Sequence, residues 1–252
     1  MDMSLIYLPL FMLPGRYFIV AGIFYFIFYV WKKKEFSYLK IQKTYPSKKK
    51  IFSEIFYSLF GLFIFAIVIF LMFVLIYNGF SKMYKNISEF GWIYFCFSIV
   101  SLIVIHDMYF YFAHRLIHLK KLFFIHKRHH LSVNPTPWAA FSFGPIEAIL
   151  QIAWLPLIII LIPLHKYALL IWSIFMIVMN VIGHLGYEIF PKNFLQSPIG
   201  KILLSSTHHN LHHSRNNNHY GLYFTFWDKI MGTEYPDYKK VYETVKSRPS
   251  QS

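Results

Sequence analysis

The sequence is poor in cysteine and in charged residues. Its one cysteine, Cys96, lies inside an apolar run, which excludes a disulfide framework and a cysteine-based zinc site. Charged residues make up 14% of the 252 residues, whereas a soluble domain carries about 25%. Acidic residues are especially scarce, with 11 Asp and Glu against 25 Lys and Arg. This composition argues against an ordinary soluble domain.

Apolar residues dominate instead. The chain is 56% hydrophobic with a mean hydropathy of +0.44, and long apolar runs indicate a protein that crosses a membrane several times. The basic residues flank these runs, as is typical of cytoplasmic loops that meet anionic headgroups, so no nucleic-acid partner is expected. The N-terminal region lacks a short apolar core followed by a small-residue cleavage site, so no cleaved signal peptide is expected.

Four to five apolar helices are predicted. Residues 5–31 are apolar apart from Arg16, so the first helix either begins before Arg16 or tilts strongly. Residues 55–77 contain no charge, and a third apolar run begins near Gly91. Two short stretches within residues 148–183 form a hairpin that either crosses fully or enters as a re-entrant pair. The predicted fold is an all-α integral membrane protein.

Lysine asymmetry predicts the orientation. Residues 32–50 contain eight lysines and one acid, whereas residues 78–90 contain two lysines, so the first loop is expected in the cytoplasm. The third helix and the hairpin then deliver the histidines to that side, where they form a cytoplasmic histidine-rich cap. We divide the chain into N-terminal membrane helices, residues 1–90, and a histidine-bearing region, residues 91–252, that includes the hairpin.

Histidines follow a repeated spacing. An H-x3-H motif and two H-x2-HH motifs lie within a hundred residues, and helical residues three or four apart share a face. A single histidine is usually a packed or surface residue, and a basic cluster also suits anionic lipid. Three such motifs instead favour a metal site. The predicted ligands are the eight motif histidines and one that ends the fifth apolar run: His114, His118, His126, His129, His130, His209, His212, His213 and His184.

Nine imidazoles predict two metal ions, because a tetrahedral zinc takes four ligands. All-imidazole sites suit iron, zinc, copper or nickel, so the spacing does not choose the metal. The acids between Gly91 and His213 are Asp107, Glu147 and Glu188. Each is a candidate to accept a ring N–H from a ligating histidine. The alternative is that these acids pair with Arg115 or Arg128.

About half of the chain, from His106 to Thr233, resembles the fatty acid hydroxylase superfamily, also called the sterol desaturase family. Within it the chain is similar to the C-5 sterol desaturase-like branch. Three histidine boxes with family-like flanks occur in the family order. The stretches with this resemblance are HDMYFYFAHRLIH, HKRHHLSVNPTPWAAFSFGPIEA, NVIGHLGYE, THHNLHHS and YGLYFTFWDKIMGT.

The resemblance implies a membrane-bound non-haem di-iron enzyme that uses O₂ to hydroxylate or desaturate a lipid of sterol or fatty acyl type. The chain has no nucleotide-binding glycine motif, so a reductase, cytochrome b5 or ferredoxin is expected to supply electrons. The expected location is the bacterial cytoplasmic membrane or the endoplasmic reticulum, with the catalytic side cytoplasmic. A basic face is predicted either to dock an acidic donor or to contact headgroups: Arg115, Lys120, Lys121, Lys127 and Arg128.

Three positions depart from the family pattern or its spacing. Gly144 and His219 stand where many relatives have His and Asn, respectively, and His208 lies outside the H-x2-HH spacing. We leave His208 out of the ligand set and assign no role to His219 or His106. A competing interpretation is a histidine-rich metal transporter or metal-binding protein. Transport sites usually lie near the bilayer midplane, whereas these motifs follow the apolar runs, which favours the enzyme.

Overall fold

The computed structural model describes residues 4–250, and this part of the chain is helical. It contains no β-strand beyond three isolated bridges. The first helix continues as a π-helical stretch over Phe26–Trp31. The ten α-helices of these residues are α1 Ser4–Tyr25, α2 Lys48–Tyr77, α3 Gly91–Ile117, α4 Phe123–His130, α5 Pro145–Ile152, α6 Trp154–Leu161, α7 Lys166–Gly183, α8 Ser206–Arg215, α9 Phe226–Ile230 and α10 Tyr238–Lys246.

Within residues 4–250, four helical segments are long and apolar enough to cross a membrane: Tyr7–Trp31, α2, α3 and α7. The predicted all-α membrane fold is confirmed. The first helix begins at Ser4, well before Arg16. This agrees with the first of the two predicted alternatives, a helix that starts before Arg16. Helix α2 begins seven residues before the uncharged run, because the Ser47 hydroxyl accepts a hydrogen bond from the Lys50 amide at 3.4 Å and caps the helix.

The first arm of the predicted hairpin is divided into two short helices, whereas the second arm is the continuous helix α7. Helices α5 and α6 meet at Ala153 and together cover Pro145–Leu161. The end of this arm contacts the loop that follows α2, where the Lys82 amide donates to the Ile159 carbonyl at 2.9 Å. The Tyr84 amide likewise donates to Leu164 at 3.1 Å. The arm therefore joins the histidine-bearing end of the bundle to the opposite end.

A short 3₁₀ helix, Pro137–Phe141, packs between α1, α2 and α7. The Trp138 carbonyl accepts hydrogen bonds from the Tyr17 hydroxyl at 2.8 Å and the Ser58 hydroxyl at 2.7 Å. A Cβ at Gly61 would lie 2.7 Å from the Phe141 carbonyl oxygen, so α2 needs glycine there to approach this closely. This packing fixes the chain that leaves α4 and its histidines.

The lysine-rich loop lies at the same end of the bundle as the histidines. The Gln42 side-chain amide donates to Asn210 Oδ1 in α8 at 3.0 Å. The Lys50 ammonium donates to the Leu131 carbonyl, directly after α4, at 2.6 Å. The predicted shared location of loop and histidines is therefore confirmed, while the side of the membrane on which they lie stays a prediction.

From Phe190 onward the sequence is polar and loop-rich, which predicts a small cytoplasmic cap and no further span. In the structure this segment is more helical and more deeply packed than that pattern indicates. It contains α8, α9 and α10, and its Tyr223 is fully buried in a cluster with Phe110 of α3 and Met179 of α7. Asp107 in α3 accepts the Tyr223 amide at 2.8 Å. Part of the cap is thus inserted between the membrane helices and positions residues close to the histidines.

Candidate metal centre

All nine predicted histidines lie close together in two groups. In each group one ring nitrogen per histidine lies within 4.8 Å of those of the other members. Eight of the nine side chains are buried, and His118 is partly exposed. Group A consists of five histidines and group B of four: His114, His118, His126, His130 and His212 in A, and His129, His184, His209 and His213 in B.

Each H-x2-HH motif contributes to both groups. His126 and His130 are four residues apart and belong to group A, whereas the intervening His129 belongs to group B. In α8, His209 and His213 belong to group B and His212 to group A. Because residues three or four apart share a helix face, the spacing predicts that each motif points its rings into one volume, and this prediction is wrong. Consecutive helical residues diverge by about 100° around the axis, so neighbouring rings face different groups.

Helix ends position two further histidines of these groups. His118 is the C-cap of α3, and His184 is the C-cap of α7. Helix α8 packs directly against the end of α7, where a Cβ at Gly183 would be in ordinary van der Waals contact with the His209 side chain at 3.5 Å. The start of α8 is held by Glu188, whose carboxylate accepts the Thr207 amide at 2.8 Å.

The Nε2 atoms converge within both groups. In group A, His114 and His126 are 2.9 Å apart at Nε2, and His130 and His212 are 3.0 Å apart. In group B, His184 Nε2 lies 3.2 Å from that of His129 and 3.1 Å from that of His209. Ligand nitrogens about 2.1 Å from a shared ion are typically separated by roughly these distances.

The outer ring nitrogens determine which tautomers are present. His114 Nδ1 donates to the Tyr220 carbonyl at 2.9 Å, and His126 Nδ1 donates to Glu147 Oε1 at 2.5 Å. Both Nε2 atoms must then present lone pairs to each other, an arrangement that a cation would stabilise. In the same way His184 Nδ1 donates to the Asn180 carbonyl at 2.8 Å. The donor set therefore fits metal ions.

Burial keeps the imidazoles neutral. Removal from water lowers the pKa of His130 and of His184 to about 4, even though hydrogen bonds to each ring partly oppose the shift. The pKa values of His209 and His213 fall well below the ordinary value, first through burial and then through neighbouring histidines. Neutral imidazole is the form that binds metal, so the site is ready for metal at neutral pH.

One of the three candidate acids supports a histidine. Glu147, in the first turn of α5, is the acid that accepts from His126. The same expectation is wrong for Asp107 and Glu188, because both carboxylates accept backbone amides instead. Among the described residues, neither Arg115 nor Arg128 forms an ion pair with these acids, so the alternative pairing is also wrong.

Asp228 is a supporting residue that the sequence did not reveal. Its carboxylate accepts the amides of Tyr220 at 2.8 Å and Gly221 at 3.0 Å, and the Thr233 hydroxyl at 2.7 Å. These bonds shape the turn whose Tyr220 carbonyl accepts from His114. The aspartate lies in a family-like stretch, but its contact with a turn that supports α3 is not visible in the spacing.

The histidines without an assigned role lie outside both groups. His208 stacks on His219 with ring centroids 3.7 Å apart, and His219 Nδ1 donates to the His208 carbonyl at 2.8 Å. His219 has a positive φ of 63°, a conformation that asparagine also tolerates. His106 contacts the Tyr223 hydroxyl at 2.8 Å and stacks on Trp154. These contacts place none of the three histidines in group A or group B.

An apolar cavity of about 270 Å³ lies between the helices and approaches the histidines. Two of its lining residues contact the histidine groups, Phe110 next to His114 of group A and Phe143 next to His129 of group B, with centroid distances of 4.9 and 5.3 Å. The cavity extends along α7 toward the opposite end of the bundle. The sequence did not reveal it, because its walls come from helices far apart along the chain.

Comparison with known proteins agrees with this geometry. Residues 99–233, more than half of the chain, match the family model described as fatty acid hydroxylase. The chain belongs to this family. Its similarity to C-5 sterol desaturases supports the sterol desaturase branch within it. No solved structure matches the chain.

Three relatives illustrate the similarity. Lathosterol oxidase of Rattus norvegicus is 34% identical over 165 residues, which cover 64% of this chain and 54% of the relative. The Delta(7)-sterol 5(6)-desaturase erg31 of Schizosaccharomyces pombe is 28% identical, covering 83% and 68%. Methylsterol monooxygenase 1 of Gallus gallus is 33% identical, covering 52% and 44%. The chain spans about half the length of most of the curated relatives it matches.

The predicted basic face is smaller than expected. Lys120, Lys121 and Lys127 are exposed near the histidine motifs. The Arg128 guanidinium instead stacks on the Tyr57 ring at 3.6 Å and donates to a serine hydroxyl in α2. Arg128 is therefore part of the packing between α4 and α2, and is removed from the set of residues that face a partner.

Proposed function

We propose that this chain is an O₂-dependent, membrane-bound non-haem di-iron enzyme that hydroxylates or desaturates a lipid. The observation that carries the proposal is the position of two all-histidine groups at the inner end of an apolar cavity. Family membership supports it, because the named relatives oxidise sterols. Residues 91–252 would form the catalytic region, and residues 1–90 the N-terminal membrane helices.

The nine histidines would hold one iron in group A and a second in group B. All-imidazole donors suit iron, and Glu147 would raise the basicity of His126 from outside the group. Bound iron would supply the activation of O₂ and the oxidation of the lipid C–H bond. The protein's part is to position the ions, orient the lipid and exclude water.

Both candidate reactions need external electrons. Hydroxylation consumes the lipid C–H, one O₂, two electrons and two protons, and yields the alcohol and one water. Desaturation removes two hydrogens from adjacent carbons and yields an alkene and two waters from the same inputs. Whether the lipid is hydroxylated or desaturated depends on which of its carbons lies beside the histidines. The cavity walls control that position.

The cavity walls would orient the substrate. Phe110 and Phe143 are both buried and lie between the cavity and the histidine rings, so a carbon that passes them would meet the metals in an apolar environment. Most of the other lining side chains are aliphatic or aromatic. A lipid can therefore enter without losing hydrogen bonds, whereas bulk water gains few partners there.

A separate reductase, cytochrome b5 or ferredoxin would supply the electrons. The exposed Lys120, Lys121 and Lys127 offer an acidic donor a positive surface near group A. The lysine-rich loop at the same end of the bundle favours a cytoplasmic location for this surface, in either a bacterial cytoplasmic membrane or the endoplasmic reticulum.

The alternative function, metal transport, has less support. A transport path needs polar ligands across the bilayer, whereas the cavity that leads away from the histidines is mainly apolar. Both histidine groups lie at one end of the bundle. A histidine-rich protein that binds metal without oxidising lipid remains the competing class for the experiment below.

Lipid mass spectrometry tests the proposal. Membranes with the wild-type chain, O₂ and an electron-donor system should convert a lipid to a product that has gained one oxygen or lost two hydrogens. His129→Gln and His212→Gln, one from each group, should abolish that product while the protein stays folded in the membrane. Metal movement across vesicles, with no lipid product from sterol, fatty acyl or ether-lipid extracts, would replace the enzyme with a transporter.

A further inference from the structure

A cationic side chain lines the apolar cavity far from the histidines. Arg16, in the first membrane helix, is partly buried and lies on the cavity wall next to Ser173 of α7. Its Nη1 donates to the Ser173 hydroxyl at 2.7 Å, and its Nε donates to the Met12 carbonyl at 3.4 Å. An arginine inside a membrane helix is costly and usually functional, so this residue needs a partner.

The protein satisfies only part of this guanidinium. Arginine has five N–H donors, and two hydrogen bonds are formed within the described residues. The lining of the cavity includes a second cation, Lys166, and no aspartate or glutamate among the residues that the structure describes. Lys166 is also the first residue of α7, where the helix dipole adds positive potential. This end of the cavity therefore favours an anion.

Positions along α7 give the scale of the cavity. Ser173 follows Lys166 by seven residues, which places Arg16 roughly 10 Å inward from the end of the helix. His184 follows Ser173 by eleven residues, roughly 16 Å along the same axis. The space between Arg16 and the histidines is bordered mainly by apolar side chains, including Met176, Trp172 and Phe143.

We propose that Arg16 binds the carboxylate or phosphate of a lipid whose hydrocarbon chain extends through the cavity to the histidines. Lys166 contributes positive charge at the entrance. That the bound lipid is the substrate rests on the proposed function, and the oxidised carbon then lies roughly 16 Å from the anionic group. The substrate class is a single-chain or extended anionic lipid held by its polar end.

Binding of defined probes tests the anionic subsite without catalysis. The full chain in an uncharged detergent is titrated with palmitate, hexadecyl phosphate and palmitic acid methyl ester, each displacing a fluorescent fatty acid. Arg16→Gln should weaken binding of palmitate or hexadecyl phosphate about tenfold or more and leave the ester unchanged. The anion that loses more affinity identifies the headgroup chemistry.

Lys82→Gln is the matched control, because Lys82 lies at the same end of the bundle, bonds the Leu161 carbonyl and does not line the cavity. It should bind every probe like the wild type. The anionic subsite would be overturned if Arg16→Gln bound palmitate and hexadecyl phosphate each with the same affinity as the wild type. If Arg16→Gln does not fold, Arg16→Lys and the exposed Lys166→Gln replace it. Unchanged anion affinity in both would overturn the subsite as well.

The position of oxidation gives a second test. In a series of fatty acids of different length, anchoring at Arg16 should keep the number of carbons between the carboxyl group and the oxidised carbon constant. A constant count from the methyl end would overturn the proposal. Anion binding that depends on Arg16, without oxidation of any lipid, would retain the subsite and reject the enzyme. Lipid oxidation that does not depend on Arg16 would retain the enzyme and reject the anionic subsite.

Discussion

The carboxylate of Glu147 lies 2.5 Å from Nδ1 of His126, and both side chains are buried. This contact joins the start of α5 to α4, so the membrane hairpin and the second histidine motif are linked through one hydrogen bond. The carboxylate fixes the proton on Nδ1 and turns the Nε2 lone pair toward group A. It is the only one of the three candidate acids that contacts a predicted ligand.

Glu147→Gln should weaken metal binding in group A by about 10- to 100-fold, because an amide supports the His126 ring less strongly than a carboxylate. Competition with a chelator, followed by metal analysis, measures the change. Asp107→Asn serves as the control, since Asp107 accepts backbone amides and contacts no ligand ring. Equal metal loss in both variants would show that Glu147 acts only through stability.

Two metal ions per chain are expected in protein purified under conditions that retain iron. His209→Ala leaves three histidines in group B and should remove its ion, so that this variant retains close to one. His118→Ala leaves four histidines in group A, as many as group B has, and should weaken binding of that ion without abolishing it. Elemental analysis gives the count. A reproducible single ion in the wild type, insensitive to His209→Ala, would contradict the two-metal site, whereas zinc in place of iron would not.

Acid should destabilise the metal-free protein. The pKa of His130 and His184 is about 4 in the folded chain and about 6.5 when unfolded, so the unfolded state takes up more protons between these values. The contribution of these histidines to the free energy of unfolding should be fully present above pH 6.5. It should be lost progressively toward pH 4, by on the order of 1 kcal/mol or more per histidine. Thermal unfolding across this range measures the loss. A midpoint independent of pH would contradict it.

Blocking the cavity should separate substrate access from metal binding. Met176→Trp places a larger side chain in the cavity wall and should reduce lipid oxidation at least tenfold while the metal content stays unchanged. Ile174→Trp, an exposed position on the same helix that does not line the cavity, is the matched control. Product formation by both variants at the wild-type rate would show that the substrate uses another route.

Accessibility labelling tests the orientation. In a Cys96→Ser background, a cysteine at Asn86 should react with a membrane-impermeant reagent from outside the cytoplasm, because Asn86 lies at the end of the bundle opposite the lysine-rich loop. A cysteine at Lys43 should react from the cytoplasmic side. If both labelling patterns were reversed, the chain would have the opposite orientation in the membrane. The arrangement of the two histidine groups would be unaffected by this result.

Features that depend on local sequence could be predicted. Long apolar runs predicted the membrane helices. Histidine spacing predicted eight members of the two groups, and the position of His184 at the end of the fifth apolar run predicted the ninth. Features that depend on tertiary contacts could not. The turn that Asp228 shapes supports His114 across 106 positions of the chain. Tyr223, which is inserted between α3 and α7, donates to Asp107 across 116 positions. Arg128 was predicted to belong to the exposed basic face, but its guanidinium stacks on Tyr57, a contact that local sequence does not indicate.

The division of adjacent histidines between the two groups has a mechanical consequence. His129 and His130 are joined by one peptide unit, as are His212 and His213, and each pair reaches both groups. Any tilt or slide of α4 or α8 therefore displaces ring nitrogens of both groups together, so that movement of either helix reaches group A and group B at once. A substitution meant to alter one group alone would have to be placed at the end of α3 or of α7, because His118 belongs only to group A and His184 only to group B.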